Sequence, residues 1–118
     1  MDLRLTVDLP RDLDRMNTLR HVLDGALAGL GVGEQTRADI GLIVSETWAN
    51  VISHVRVGVA FQVRATVNEK ACVIEVTSPP DAPDAFLPSQ PSLQVVSSLA
   101  DTVDVGGDGL LLRVVKQL

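Results

Sequence analysis

Cysteine is nearly absent from this 118-residue chain, with Cys72 the only one. That excludes a disulfide framework. A lone thiol beside Val73 and Ile74 reads as a small buried hydrophobe in a reducing, hence cytoplasmic, compartment. Zinc is excluded as well, because one cysteine and the distant His21 and His54 lack ligand spacing. No apolar run approaches the roughly 20 residues that a membrane helix needs. The first residues alternate Leu3, Leu5 and Val7 with Arg4 and Thr6 instead of placing a charged head before an apolar run. No signal peptide and no membrane partner are therefore expected. Basic clusters are missing too, and the net charge is −5, so nucleic acid is not an expected partner. Eight of the ten Lys and Arg lie in residues 1–70, and none lies between Ala71 and Leu112. That window holds Glu75, Asp81, Asp84, Asp101, Asp104 and Asp108. An anion held mainly by this window would meet no cation there.

What is present suffices for one domain over residues 1–118, with a single core and no cross-links. Leu3, Leu5, Val7 and Leu9 alternate with polar residues as a half-buried strand does, and Pro10 ends it. Leu13, Met16, Leu19, Leu23, Leu27 and Leu30 recur at helical spacing, and Gly29 and Gly31 mark the end of that helix. A second helix is expected over Glu34–His54, with Ile40, Ile43, Val44, Trp48, Val51, Ile52 and Val55 as its apolar stripe. Trp48, the only tryptophan, belongs in the core, with an interface as the alternative. Val59–Val67 and Cys72–Thr77 form a hairpin through Asn68-Glu69-Lys70. Ser78–Pro91 holds five of the six prolines and is expected to be irregular, with Phe86 and Leu87 either plugging a cleft or docking a partner. Ser92 or a neighbour should cap a short helix carrying Leu93, Val96, Leu99 and Ala100. Thr102–Val105 and Leu110–Val115 close the chain as a second hairpin. Helices that bury only one face should gather on one side of the sheet. The expected class is therefore α/β, a two-layer sandwich with a mixed, mainly antiparallel sheet.

The richest segment is Val44-Ser45-Glu46-Thr47-Trp48-Ala49-Asn50-Val51-Ile52-Ser53-His54. Glu46, Asn50 and His54 recur every four residues and so share one helix stripe. An acid, an amide and an imidazole in register can present a base, a metal ligand and a donor to one small ligand. The plainer reading is a solvated or hydrogen-bonded face, and His54 at a helix end is favoured by the dipole alone. Ser45 and Ser53 have no base arranged beside them to make a nucleophile, and His21 reads as a surface residue.

The Glu-x-x-x-Asn-x-x-x-His run, with the element order around it, resembles the N-box of the GHKL (histidine kinase-like) ATPase fold. It resembles most the anti-sigma factors of serine-kinase type from bacterial partner-switching pathways. Leu99-Ala100-Asp101 in the short helix and the ending Gly109–Lys116 also sit where that family has them. The resemblance implies that Asn50 would coordinate a magnesium ion bridging ATP phosphates. Glu46 would act as general base on a partner serine, and His54 is carried over as a motif member only. Phosphoryl transfer needs little beyond charge neutralisation and a positioned nucleophile.

Where the resemblance would place the rest of the nucleotide site, the chain departs from the pattern. The adenine-reading Asp-x-Gly-x-Gly is replaced by Ser78-Pro79-Pro80-Asp81-Ala82, and the phosphate-wrapping Gly-x-Gly by Gln90-Pro91-Ser92. Each proline deletes a backbone donor. Ala82–Ser89, the lid position, has no Lys or Arg. One missing charge-assisted hydrogen bond costs on the order of 1.5–3 kcal/mol, so three altered elements predict a loss of several decades in affinity. Glu46, Asn50, His54 and Ser78 are then members of a vestigial nucleotide cleft, and no cofactor is expected. A retained face for a metal, another ligand or a partner is the alternative. The implied function is a regulator that binds a sigma factor, an anti-sigma antagonist or both. The competing reading is an active serine kinase using Mg-ATP. A third is a binding module for a different small ligand or for itself, using the old cleft or the sheet, whose Leu3–Leu9 edge could pair chains into a homodimer.

Overall fold

Alternation of apolar and polar residues produces five strands, and heptad-like spacing produces three helices. The element order is β1 (Leu3–Pro10), α1 (Leu13–Gly29), α2 (Glu34–His54), β2 (Ala60–Val67), β3 (Ala71–Thr77), α3 (Pro91–Leu99), β4 (Thr102–Gly106) and β5 (Leu111–Gln117). The computed structural model describes residues 2–10, 13–54, 60–78, 86, 90–106 and 110–118. Within these, the side chains of Leu9, Pro10, Leu13, Ile52, Ser53, His54 and Ala60 lie outside the description.

The strands form one sheet in the order β1-β2-β3-β5-β4. Every pairing is antiparallel, so the sheet expected to be mixed is antiparallel throughout the described residues. The reason is the return path. α3 carries the chain from β3 to the far edge, and β5 comes back between β3 and β4. On one face Phe61, Val63, Ala65, Val67, Cys72, Ile74, Val76, Leu112 and Val114 are buried, while Gln62, Arg64, Thr77 and Arg113 on the other are exposed. All three helices add their apolar stripes to the buried face, through Met16, Leu19, Leu23 and Leu27, then Ile40, Ile43, Val44, Trp48 and Val51, then Leu93 and Val96. This is the two-layer sandwich read from the pattern.

The ends of these elements follow from named residues. Gly31 (φ 81°) takes the left-handed conformation that ends α1. Its amide donates to Ala28 O (3.0 Å), and Val32 N donates to Leu27 O (3.0 Å). That pattern is a Schellman cap, and its apolar pair is Leu27 with Val32. Gly29 is the last helical residue, not part of the stop. The β2–β3 turn is closed by Asn68, whose Oδ1 accepts from Lys70 N (2.8 Å) and Ala71 N (2.9 Å).

Two expectations at α3 are corrected, and one at β5. The helix begins at Pro91 with Gln90 as N-cap, and no side chain caps it. Proline at the first helical position already has the required φ and deletes only an amide that would be orphaned anyway, so Ser92 lies inside the helix. Asp101 lies beyond the helix, which stops at Leu99 with Ala100 as C-cap. Asp101 serves the sheet instead: its amide donates to Val115 O (2.9 Å) and its Oδ2 accepts from Gln117 N (2.6 Å). β5 runs two residues past the expected Val115, to Gln117, where it pairs with Ala71 of β3.

Candidate functional site

α2 presents the motif, and its register decides what each residue can reach. Ile40, Ile43, Thr47 and Val51 follow one another at three- and four-residue spacing and are all buried. Glu46 and Asn50 lie one position before Thr47 and Val51, on the flank of that stripe. Glu46 is half-buried, whereas Asn50 is 1% exposed. The polar stripe thus turns inward along the helix, reaching the interior at Asn50. The His54 side chain lies outside the described residues.

Ser78 is buried one residue beyond β3. Its amide donates to Leu110 O at 2.7 Å, which fastens the end of β3 to the entry of β5. Pro79, Pro80, Asp81 and Ala82 lie outside the described residues, as do Leu87–Ser89. Phe86 does not. Its ring is wholly buried and meets Phe61 edge-on, with centroids 6.2 Å apart at 77°. Phe61 in turn meets Trp48 edge-on at 5.9 Å and 79°. Edge-to-face contacts at such separations are favourable. The chain's three aromatic residues therefore form one continuous row, from α2 across β2 to the Pro-rich segment. Of the two readings of Phe86, the inward one matches its burial.

Thr47 is the residue that the motif reading passed over. It is 2% exposed, and its Oγ1 has no hydrogen-bond partner among the described residues. Its place on the 40, 43, 47, 51 stripe was the signal, since a threonine at a core position is forced indoors with its hydroxyl. Gln90, also buried, leads directly into α3.

A profile of the histidine kinase-like ATPase domain family matches residues 9–116, from the end of β1 almost to the end of β5. The chain belongs to that family. No curated protein matches its sequence significantly.

Within this histidine kinase-like ATPase domain, α2 with its Glu46–Asn50 pair, the end of β3 at Ser78 and the start of α3 at Pro91 compose the candidate site. Two cavities of the described residues lie elsewhere. One of about 500 Å³ is lined by residues 29–33 with Thr36, Asn68 and Glu69, at the opposite end of α2. Another of about 350 Å³ lies between α1 and α2, beside Arg20, Arg37 and Leu42. Among the described residues no cluster of three His, Cys, Asp or Glu side chains is placed to hold a metal, and no helix is long and apolar enough to cross a membrane.

Proposed function

We propose that this ATPase-type domain works as a contact regulator in a bacterial partner-switching pathway. It binds a sigma factor, an anti-sigma antagonist or both, with nucleotide binding lost or very weak. The observation that carries this reading is Phe86, whose ring lies in the aromatic row beside the cleft end of β2. Three further features support it. Pro91 opens α3 without a backbone donor, at the helix end where phosphates would be met. Asn50, the residue that would hold magnesium, is buried. No Lys or Arg stands between Ala71 and Leu112 to meet a terminal phosphate. The residues at hand fit a metal-bridged triphosphate poorly, so release of a partner would follow from competition between partners, not from its phosphorylation.

Equilibrium dialysis against Mg-ATP, paired with affinity capture with and without Mg-ATP, tests this. No binding is expected at millimolar nucleotide. A sigma factor or a small antagonist protein is expected in the capture under both conditions. Serine phosphorylation of a captured partner that requires ATP would sink the non-catalytic part.

One observation favours the second reading, an active serine kinase. Glu46 and Asn50 are both present on one helix at the spacing that the family's chemistry uses. In that case Glu46→Gln abolishes phosphorylation of the captured partner and leaves capture itself intact.

A further inference from the structure

Cations are the minority charge in this acidic chain, with ten Lys and Arg against fifteen Asp and Glu. Two of the ten nevertheless meet in one place. Arg20 of α1 and Arg37 of α2 both line the cavity of about 350 Å³ between these helices. Ala38, Gly41 and Ser45 carry its α2 wall at three- and four-residue spacing, on a different stripe from Glu46 and Asn50. Neither guanidinium is loose. Arg20 Nη1 donates to Ser45 Oγ at 2.8 Å. A Cβ placed on Gly41 would lie 3.9 Å from Arg20 Cδ, so the arginine stem crosses α2 at its only glycine. Arg37 Nε donates to Val32 O at 3.1 Å, and its Nη1 reaches Asp24 Oδ2 at 3.3 Å. Ser45 Oγ and Val32 O are neutral acceptors, so they fix the arginines without cancelling their charge. Two guanidiniums against the carboxylate of Asp24 leave one positive charge, with His21 on the rim counted as neutral. The Nε–Nη2 edge of Arg20 and the Nη2 of Arg37 have no partner among the described residues. Beside them lies an apolar patch, Ala38 with Leu42, whose side chain is 44% exposed.

We propose that this cavity binds a small monocarboxylate with a short apolar tail. The carboxylate takes the open Nε–Nη2 edge of Arg20, where two parallel N–H groups match its two oxygens. Arg37 Nη2 adds a second charged donor, and the tail lies along Ala38 and Leu42. The single net positive charge selects a monoanion, because a phosphate dianion would face Asp24 with one charge uncompensated. The cavity's volume lies within the range of small-molecule sites, which combine apolar walls with a few placed polar groups. None of its lining residues belongs to the candidate nucleotide cleft, so the site stands whether or not that cleft holds ATP.

Titration of the isotope-labelled full chain with sodium butyrate, followed by NMR and compared with sodium chloride at equal ionic strength, tests this. Saturable shifts are expected at the amides of residues 20–24 and 37–45. The expected Kd is about 1 to 10 mM, the scale for so small a ligand. Acetate, which lacks most of the tail, should bind several-fold more weakly. Arg20→Gln and Arg37→Gln should each weaken butyrate binding by roughly tenfold or more. Arg64→Gln, on the exposed face of the sheet, should leave it unchanged. Circular dichroism checks that each variant folds, and the shifts of the unsubstituted chain locate the site even where one does not. Shifts that only match those with chloride overturn the proposal. So does butyrate affinity retained in folded Arg20→Gln and Arg37→Gln, or equal binding of butyrate and the inorganic phosphate dianion.

Discussion

At the residue scale, two buried side chains on the cleft side carry opposite kinds of information. Phe86 fills space, with its wholly buried ring packed on Phe61. Removing a buried phenyl ring costs about 3 to 5 kcal/mol through lost transfer energy and the cavity left behind. Phe86→Ala should therefore lower the unfolding free energy by that amount, seen as a lower urea midpoint with an unchanged slope. A loss below about 1 kcal/mol would show that the ring is not a member of the cooperative core. The same variant is expected to stay blind to Mg-ATP, since Pro91 and the missing cations are untouched. Asn50 is buried and partnered, so Asn50→Ala should cost about 1 to 3 kcal/mol whatever the cleft binds. Lost activity in that variant would not diagnose nucleotide binding. Glu46 is only half-buried, and Glu46→Gln is the cleaner probe. The motif on α2 was legible because three polar residues at four-residue spacing stand out against an apolar helix. The burial of Asn50 was not legible, because helical spacing gives the angle of a side chain but not what covers it. In the Pro-rich segment the reverse holds: the prolines announced irregular backbone, and only packing could decide that Phe86 turns inward.

At the element scale, the order and type of all eight elements could be read from periodicity, since a two-layer sandwich gives each strand one buried face and each helix one stripe. Boundaries failed where the deciding interaction is tertiary. β5 is longer than its alternation suggested because its ladder with β3 continues to Ala71↔Gln117, where Asp101, past the end of α3, also accepts from Gln117 N at 2.6 Å. A polar residue at that distance in sequence leaves no periodic trace. The same region holds the tie between layers. Lys116 on β5 points to the helix side, where its Nζ donates to Leu99 O at the end of α3 (2.7 Å) and approaches Asp39 Oδ2 on α2 (3.5 Å). A cation at a helix C-terminus is favourable, and a hydrogen bond from a charged group is worth about 1.5 to 3 kcal/mol. The ion pair itself adds little, because both partners keep contact with water and exposed pairs are worth about 0 to 1 kcal/mol. Lys116→Met should thus cost about 2 kcal/mol in chemical denaturation, while Asp39→Asn costs less than about 1. Equal losses in the two variants would contradict this division. A smaller tie joins α1 to α2, where Arg20 Nη1 donates to Ser45 Oγ at 2.8 Å. That hydroxyl, which lacked any base to activate it, has a structural use.

At the scale of the whole molecule, stability in alkali should be governed by one thiol. Cys72 lies on the buried face of β3, and burial pushes its pKa up from 9.0 to about 11. The folded chain holds this proton through a range in which the unfolded chain, with its thiol in water, gives it up. The unfolded state then binds fewer protons than the folded state, so stability falls as pH rises through this range. The contribution is fully present below about pH 8.5, where both forms are protonated, and it is lost progressively as the pH climbs to about 11. That difference between the folded and unfolded thiol corresponds to roughly 2 to 3 kcal/mol. The chain has no tyrosine, so no phenol titrates in that window to mask the effect. Urea midpoints measured between pH 8 and 11 should decline for the unsubstituted chain. Cys72→Ala should start lower, because a small void is left between the layers, but its midpoint should decline much less steeply over the same range. Parallel curves for the two chains would place the alkaline loss elsewhere, in the charges that tie the layers together and not in the core.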